Sequence, residues 1–274
     1  MPPFAKNTDK PKDMEISLEG KHALVGGSSR GIGLGVAREL AASGARVTLA
    51  ARSGDKLRQL VGELADETGR GHGFIQVDYT DLATYKTQIA EFLENDPVDI
   101  LVNNTQGPPA GTSLEQTVDD YQQAFDLLFK SVVHTTHCAL PHMRQQGWGR
   151  IINVASVSVR EPLGYLALSN SIRAAVVSWG KTLASDAGPH GITVNSVLTG
   201  YFDTERLASL NNKKAEQMGV DTSEVTGKLL DNVPLRRFGK PEEYGYLATF
   251  LASDRAAYIT GAVIPLDGGL LRSY

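Results

Sequence analysis

The stretch His22-Ala23-Leu24-Val25-Gly26-Gly27-Ser28-Ser29-Arg30-Gly31-Ile32-Gly33-Leu34-Gly35-Val36-Ala37-Arg38-Glu39-Leu40-Ala41 decides the fold. Residues 22–26 form a short apolar run, and glycines then stand at 27, 31 and 33. After them Leu34, Val36, Ala37, Leu40 and Ala41 recur at helical spacing. The order is therefore strand, tight turn, helix. Glycines in such a turn let a pyrophosphate approach the helix N-terminus, where free N–H groups and the helix dipole favour an anion. A plain structural turn would use similar residues. What points to an anion cradle is its position between a predicted strand and a predicted helix.

Further along the chain the alternation repeats. Strands are expected at 45–51, 73–77, 98–102, 151–154, 192–197 and 262–266, and helices at 55–67, 82–93, 118–144, 166–186 and 242–252. Strands alternating with helices of about 10–15 residues imply βαβ units and a parallel sheet. The strands are apolar on both faces, as a sheet covered on both sides requires. The expected fold class is α/β: a single doubly wound domain over 18–274, with a parallel sheet of about seven strands and helices on both faces. Residues 203–232 are polar and helix-prone, and read as an insertion over the strand ends. Residues 1–17 read as a flexible tail rich in proline and charge.

Composition narrows the function classes. Of 274 residues, 41% are hydrophobic and 21% charged, which excludes global disorder. The net charge of −4 lacks the basic excess of a non-specific nucleic-acid binder. No run of apolar residues is long enough to span a membrane. The first residues lack the apolar segment of a secretory signal. Cys138 is the only cysteine, which agrees with a reducing, cytoplasmic setting.

The end of the second strand carries cofactor information. An acidic residue there would bind a ribose 2′-hydroxyl, whereas arginine accommodates a 2′-phosphate. This chain has Ala51-Arg52, with Arg30 inside the glycine loop. Two guanidinium groups aimed at one phosphate make charge-assisted contacts, which favours NADP(H) over NAD(H).

Together these residues resemble the short-chain dehydrogenase/reductase family, of the 3-oxoacyl-(acyl-carrier-protein) reductase-like type. The resemblance covers about residues 18–270. Residues 26–33 match the family's glycine motif with Gly26 in place of threonine, and Asn103-Asn104-Thr105-Gln106 keeps only the two asparagines of another. Gly149-Arg150-Ile151-Ile152-Asn153, Arg237-Phe238-Gly239-Lys240-Pro241-Glu242-Glu243, Ile259-Thr260-Gly261 and Asp267-Gly268-Gly269 match further segments. The resemblance implies a Rossmann domain and a dinucleotide held by Gly27, Ser29, Arg30, Gly31, Ile32, Gly33, Arg52, Asp78, Tyr79, Asn104, Arg173, Gly200, Phe202 and Thr204. It also implies a homotetramer or homodimer built on the helices starting near Val118 and Leu166 and on the last strand.

The family's Asn-Ser-Tyr-Lys tetrad is where this chain departs. The serine is Ser156, but the tyrosine position thirteen residues later is Ser169, and the lysine position is Arg173. The asparagine position is Leu128, and the usual Pro-Gly after strand six is Thr199-Gly200. In the family, the phenol protonates the substrate oxygen as hydride arrives. An adjacent ammonium tunes a phenol of pKa about 10 towards neutrality. Serine is a far poorer proton donor, and Arg173 keeps a charge but not lysine's shape. Tyr165, one helical turn before Ser169, is the leading substitute donor, against the alternative that it packs at the pocket rim. Ser156 can hydrogen-bond a carbonyl or simply cap its loop. Arg160 is a further candidate electrophilic group.

Three readings follow: an NADP(H)-dependent oxidoreductase acting on a carbonyl or alcohol with a non-standard proton donor, a catalytically inactive dinucleotide-binding homologue, and a non-redox enzyme on the same fold. The first is favoured because the cofactor loop is preserved. His134 and His137, with His142 nearby, have helical spacing but no carboxylate or thiol cluster to complete a metal site. Cys138 is expected to be a buried small hydrophobe, and 203–232 a lid over the substrate.

Overall fold

The computed structural model describes residues 16–273. The tail expected over 1–17 therefore lies outside the described residues except for Ile16, which packs against the core, and Ser17.

Seven parallel strands form one sheet: β1 (His22–Gly26), β2 (Arg46–Ala51), β3 (Gly73–Gln76), β4 (Ile100–Asn103), β5 (Gly149–Val154), β6 (Ile192–Thr199) and β7 (Val263–Leu266). Their order is β3-β2-β1-β4-β5-β6-β7. The period of two along each strand sends neighbours to opposite faces. Ala23 and Val25 of β1, Val47 and Leu49 of β2, and Ile100 and Val102 of β4 enter one core layer. Leu24, Ala50 and Leu101 enter the other. Helices α1 (Gly31–Ala42), α2 (Gly54–Thr68) and the later Pro241–Ala252 helix cover the first face. Helix α3 (Leu82–Asn95) and the helices between β4 and β6 cover the second. Burying one leucine in either layer stabilises the fold by about 1.5–3 kcal/mol.

Those intervening helices are α4 (Val118–Phe125), α5 (Ser131–Gln146) and α6 (Ala167–Ala187). The sequence reads 118–144 as one uninterrupted helix. In the structure a π-helical turn, Asp126–Lys130, joins α4 to α5 and contains buried Leu128. One extra residue per turn shifts the helix face, and short-window periodicity does not detect that. The polar insertion forms α7 (Glu205–Met218) and α8 (Thr222–Asn232), followed by α9 (Pro241–Ala252). Strand order reverses between β1 and β4, so the crevice beyond their carboxyl ends is where such a sheet takes ligands. Among the described residues no helix is long and apolar enough to cross a membrane.

Candidate active site

A cleft of about 1260 Å³ opens at that crevice. It runs from the glycine loop, past the ends of β4 and β5, to the start of α6 and the first turns of α7.

The glycine loop is fixed from below. Buried Ser28 donates through Oγ to the Val25 carbonyl at 2.8 Å and accepts from the Ala50 N–H at 2.9 Å. Asn104 donates through Nδ2 to the Gly26 carbonyl at 3.0 Å, tying β4 to the loop. Gly31 has φ of +54°, a conformation that L side chains rarely adopt. A Cβ at Gly33 would lie 2.4 Å from the Gly27 carbonyl oxygen, so no larger residue fits there unless the loop moves. Arg30 precedes α1 in extended backbone, its side chain makes no cap, and the first turn holds no acidic residue. The N–H groups of that turn therefore have no side-chain partner, and an anion would satisfy them. These residues fit the pyrophosphate of a dinucleotide.

Gly27, Ser29, Arg30, Gly31, Ile32, Gly33, Arg52, Tyr79, Asn104, Gly200, Phe202 and Thr204 all line the cleft. Some of them have a packing task as well. Phe202 is buried edge-on against Tyr244, with ring centroids 5.4 Å apart. Thr204 caps α7 by accepting from the Leu207 N–H at 3.3 Å. Tyr79 is buried under the loop against Tyr85, and burial pushes its phenol well above the usual tyrosine range. Asp78 lies beside the cleft, close to Arg52. It does not line the cleft, and its carboxylate accepts from the Thr80 N–H at 2.9 Å and the Thr80 hydroxyl at 2.7 Å. Those bonds hold its pKa below the usual carboxylate range, and the Arg52 charge lowers it further. Arg30 and Arg52 also differ from each other. Exposed Arg30 is ion-paired with Glu205 of α7, whereas Arg52 makes no ion pair among the described residues. Lys56 and Ser53, which the sequence reading omitted, stand with Arg52 at this end.

Ser156, Tyr165, Ser169 and Arg173 line the other end. Ser156 caps the short 3₁₀ turn after β5 by accepting from the Ser158 N–H at 3.1 Å, the structural role weighed for it. Tyr165 lies just before α6 rather than within it, and its carbonyl accepts from the Gly111 N–H at 2.8 Å. The loop after β4 is thereby tied to the tyrosine. Burial raises the Tyr165 phenol, and Lys214 of α7 sits 5.3 Å from its ring centroid. Arg173 donates through Nη1 to the Val154 carbonyl at 2.5 Å. Burial holds its guanidinium below the usual arginine range, and the nearby Arg206 charge adds to that.

Two residues missing from the sequence reading complete this end: Tyr201 and Arg206. Burial, with Tyr165 beside it, pushes the Tyr201 phenol up to about 12. Tyr201 was accessible to the rule that selected Gly200, since both follow the carboxyl end of β6. Arg206 had no signal within its polar helix.

The remaining candidates fall outside the cleft. Arg160 donates to the Val263 carbonyl at 3.3 Å. His134 hydrogen-bonds the Lys86 carbonyl at 2.9 Å, and His142 lies 3.2 Å from Asp99. Cys138 is half-buried rather than buried, with Sγ 3.6 Å from His134. Among the described residues no three histidine, cysteine or acidic side chains gather as metal ligands.

An α/β domain with an anion cradle at its strand switch point defines a class of dinucleotide-fold proteins, and comparison with known proteins specifies the family. Residues 27–271 match the family model described as enoyl-(acyl-carrier-protein) reductase. The chain is 32% identical over 260 residues to the 3-oxoacyl-(acyl-carrier-protein) reductase FabG of Aquifex aeolicus, covering 94% of this chain and all 100% of that one. It is 37% identical over 259 residues to the oxidoreductase UcpA of Salmonella typhimurium, covering 92% and 95%. The L-sorbose reductase of Gluconobacter frateurii, crystallised with NADPH and L-sorbose, superposes with a TM-score of 0.89 at 30% identity, covering 95% of this chain and 100% of that one. The chain belongs to the short-chain dehydrogenase/reductase family and is 3-oxoacyl-(acyl-carrier-protein) reductase-like.

Proposed function

We propose that this protein is an NADP(H)-dependent oxidoreductase that interconverts a carbonyl and an alcohol without the family's tyrosine. The observation that carries this reading is a single cleft with an uncapped helix N-terminus and free Arg52 at one end, and Ser156 with Tyr165 at the other. Gly27, Gly31 and Gly33 would hold the pyrophosphate, and Arg52 with Lys56 would meet a 2′-phosphate. The NADPH bound by the L-sorbose reductase supports the choice of cofactor. When bound, the nicotinamide supplies or accepts the hydride.

The chain's own residues supply the rest. The Ser156 hydroxyl can orient a carbonyl oxygen, since its bond to the Ser158 N–H leaves its proton free. Tyr165 donates the proton through its phenol. Burial raises that phenol, and the Lys214 ammonium over its ring does not offset the burial, so proton transfer is slower than a lysine-assisted phenol would give. Helices α7 and α8 act as the lid: Leu207 and Leu210 exclude water, while Arg206 and Lys214 touch the opposite wall. The same reading carries self-association through α4, α5, α6 and β7, for which Val118 at the head of α4 is 85% exposed.

The test is NADPH oxidation over a panel of ketones. Tyr165→Phe should lower kcat by about 10²-fold or more, the usual size of a general-acid contribution, and Ser156→Ala should lower it less. Turnover untouched by both changes would remove these assignments. NADPH binding with no turnover on any carbonyl would support the non-catalytic reading instead.

A further inference from the structure

The residues lining the cleft carry five cationic side chains, Arg30, Arg52, Lys56, Arg173 and Arg206, against one carboxylate, Glu205. Three of the cations and the carboxylate stand at the glycine-loop end, where a 2′-phosphate would need them. The other two, Arg173 and Arg206, stand with the tyrosines and have no acidic partner among the described residues.

Among the described residues each of these guanidinium groups hydrogen-bonds only to the main chain. Arg173 bonds the Val154 carbonyl, and Arg206 Nη2 donates to the Pro108 carbonyl at 2.9 Å. Each guanidinium keeps further N–H donors. Burial lowers the pKa of both, and Arg206 lowers that of Arg173 further. Arg173 is half-buried and Arg206 is exposed at the mouth of the same end, and two like charges facing one cleft with no carboxylate paired with them among the described residues draw an anion there. A bound anion would satisfy both.

Arg206 is the better placed to meet a substrate. It comes from α7, crosses to the Gly107–Pro108 wall and is independent of the residues that would hold the dinucleotide. Its planar fork suits the two oxygens of an oxyanion. We propose that the substrate end of the cleft is an oxyanion site, and that the carbonyl substrate carries a carboxylate or phosphate gripped by Arg206 within the field of Arg173. This rests on the oxidoreductase reading for the word substrate, but not for the site itself.

The experiment is calorimetric titration of the NADPH-loaded protein with two matched pairs: phenylpyruvate against its methyl ester, and dihydroxyacetone phosphate against dihydroxyacetone. At least one anion should bind about tenfold or more tighter than its neutral counterpart, and the pair that does so identifies the oxyanion. Arg206→Gln should bring that ratio close to one, and Arg206→Lys should restore part of it, with the NADPH affinity of both variants unchanged as the check on folding. Neutral compounds binding as tightly as the anions, a preference that survives in Arg206→Gln, or no binding of either anion would each overturn the proposal. NADPH oxidation is recorded separately. Anion preference without oxidation would sink the redox reading and leave the site, whereas oxidation of neutral ketones without preference would do the reverse. If NADPH itself fails to bind, the same titration of the cofactor-free protein still reads the site.

Discussion

At the α1 end of the cleft the glycine loop presents main-chain N–H groups, held by glycines and by buried bonds from Ser28 and Asn104, with Arg30, Arg52 and Lys56 beside it. At the α6 end the groups facing the cleft are side chains, namely Ser156, Tyr165, Ser169, Arg173, Tyr201 and Arg206. A main-chain cradle tolerates almost no substitution, because its geometry depends on atoms being absent. A side-chain array can be rebuilt one residue at a time while the fold stays intact. The chain matches its family's pattern at the first end and departs from it at the second, as that difference in tolerance would allow.

The sharpest way to break this comparison is Gly33→Val. A Cβ there meets the Gly27 carbonyl at 2.4 Å, so NADPH affinity should fall by at least about 100-fold while the thermal melt still shows a folded protein. Retained affinity would mean that the loop relaxes and the backbone argument fails. Next in size is Arg52→Ala. Loss of one charge-assisted contact to a 2′-phosphate should weaken NADPH by about 10- to 100-fold and leave NADH within about twofold, read by calorimetry. An equal loss for both dinucleotides would place Arg52 elsewhere in the binding. The smallest effect is expected from Glu205→Gln. It frees Arg30 from an exposed ion pair, and such pairs are worth at most about 1 kcal/mol, so NADPH should bind no more than about fivefold tighter. The gain should shrink as salt is added.

The α1 end was legible because its signals are local. A strand, a glycine turn and a helix lie within about twenty consecutive residues, and each constrains the next. The expected departure from the family's tetrad rests on intervals along the chain, from Ser156 after β5 to Ser169 and Arg173 on α6, read against the resemblance. Asp78 shows what only the structure adds. After β3 its carboxylate accepts from both the Thr80 N–H and the Thr80 hydroxyl through one oxygen, a bond pattern that spacing does not display.

By itself the sequence determined the parallel sheet and the strand, glycine turn and helix at its head, which follow from periodicity and glycine placement, and the resemblance supplied the comparison at positions 169 and 173. Tertiary structure alone decided which further side chains meet Ser169 and Arg173 at the α6 end. Arg206 reaches the cleft because α7 folds back over it, Tyr201 stands beside it just beyond the carboxyl end of β6, and Arg30 meets Glu205 across 175 positions of chain. Long-range closure of this kind is set by how whole helices pack, and no interval in the sequence encodes it.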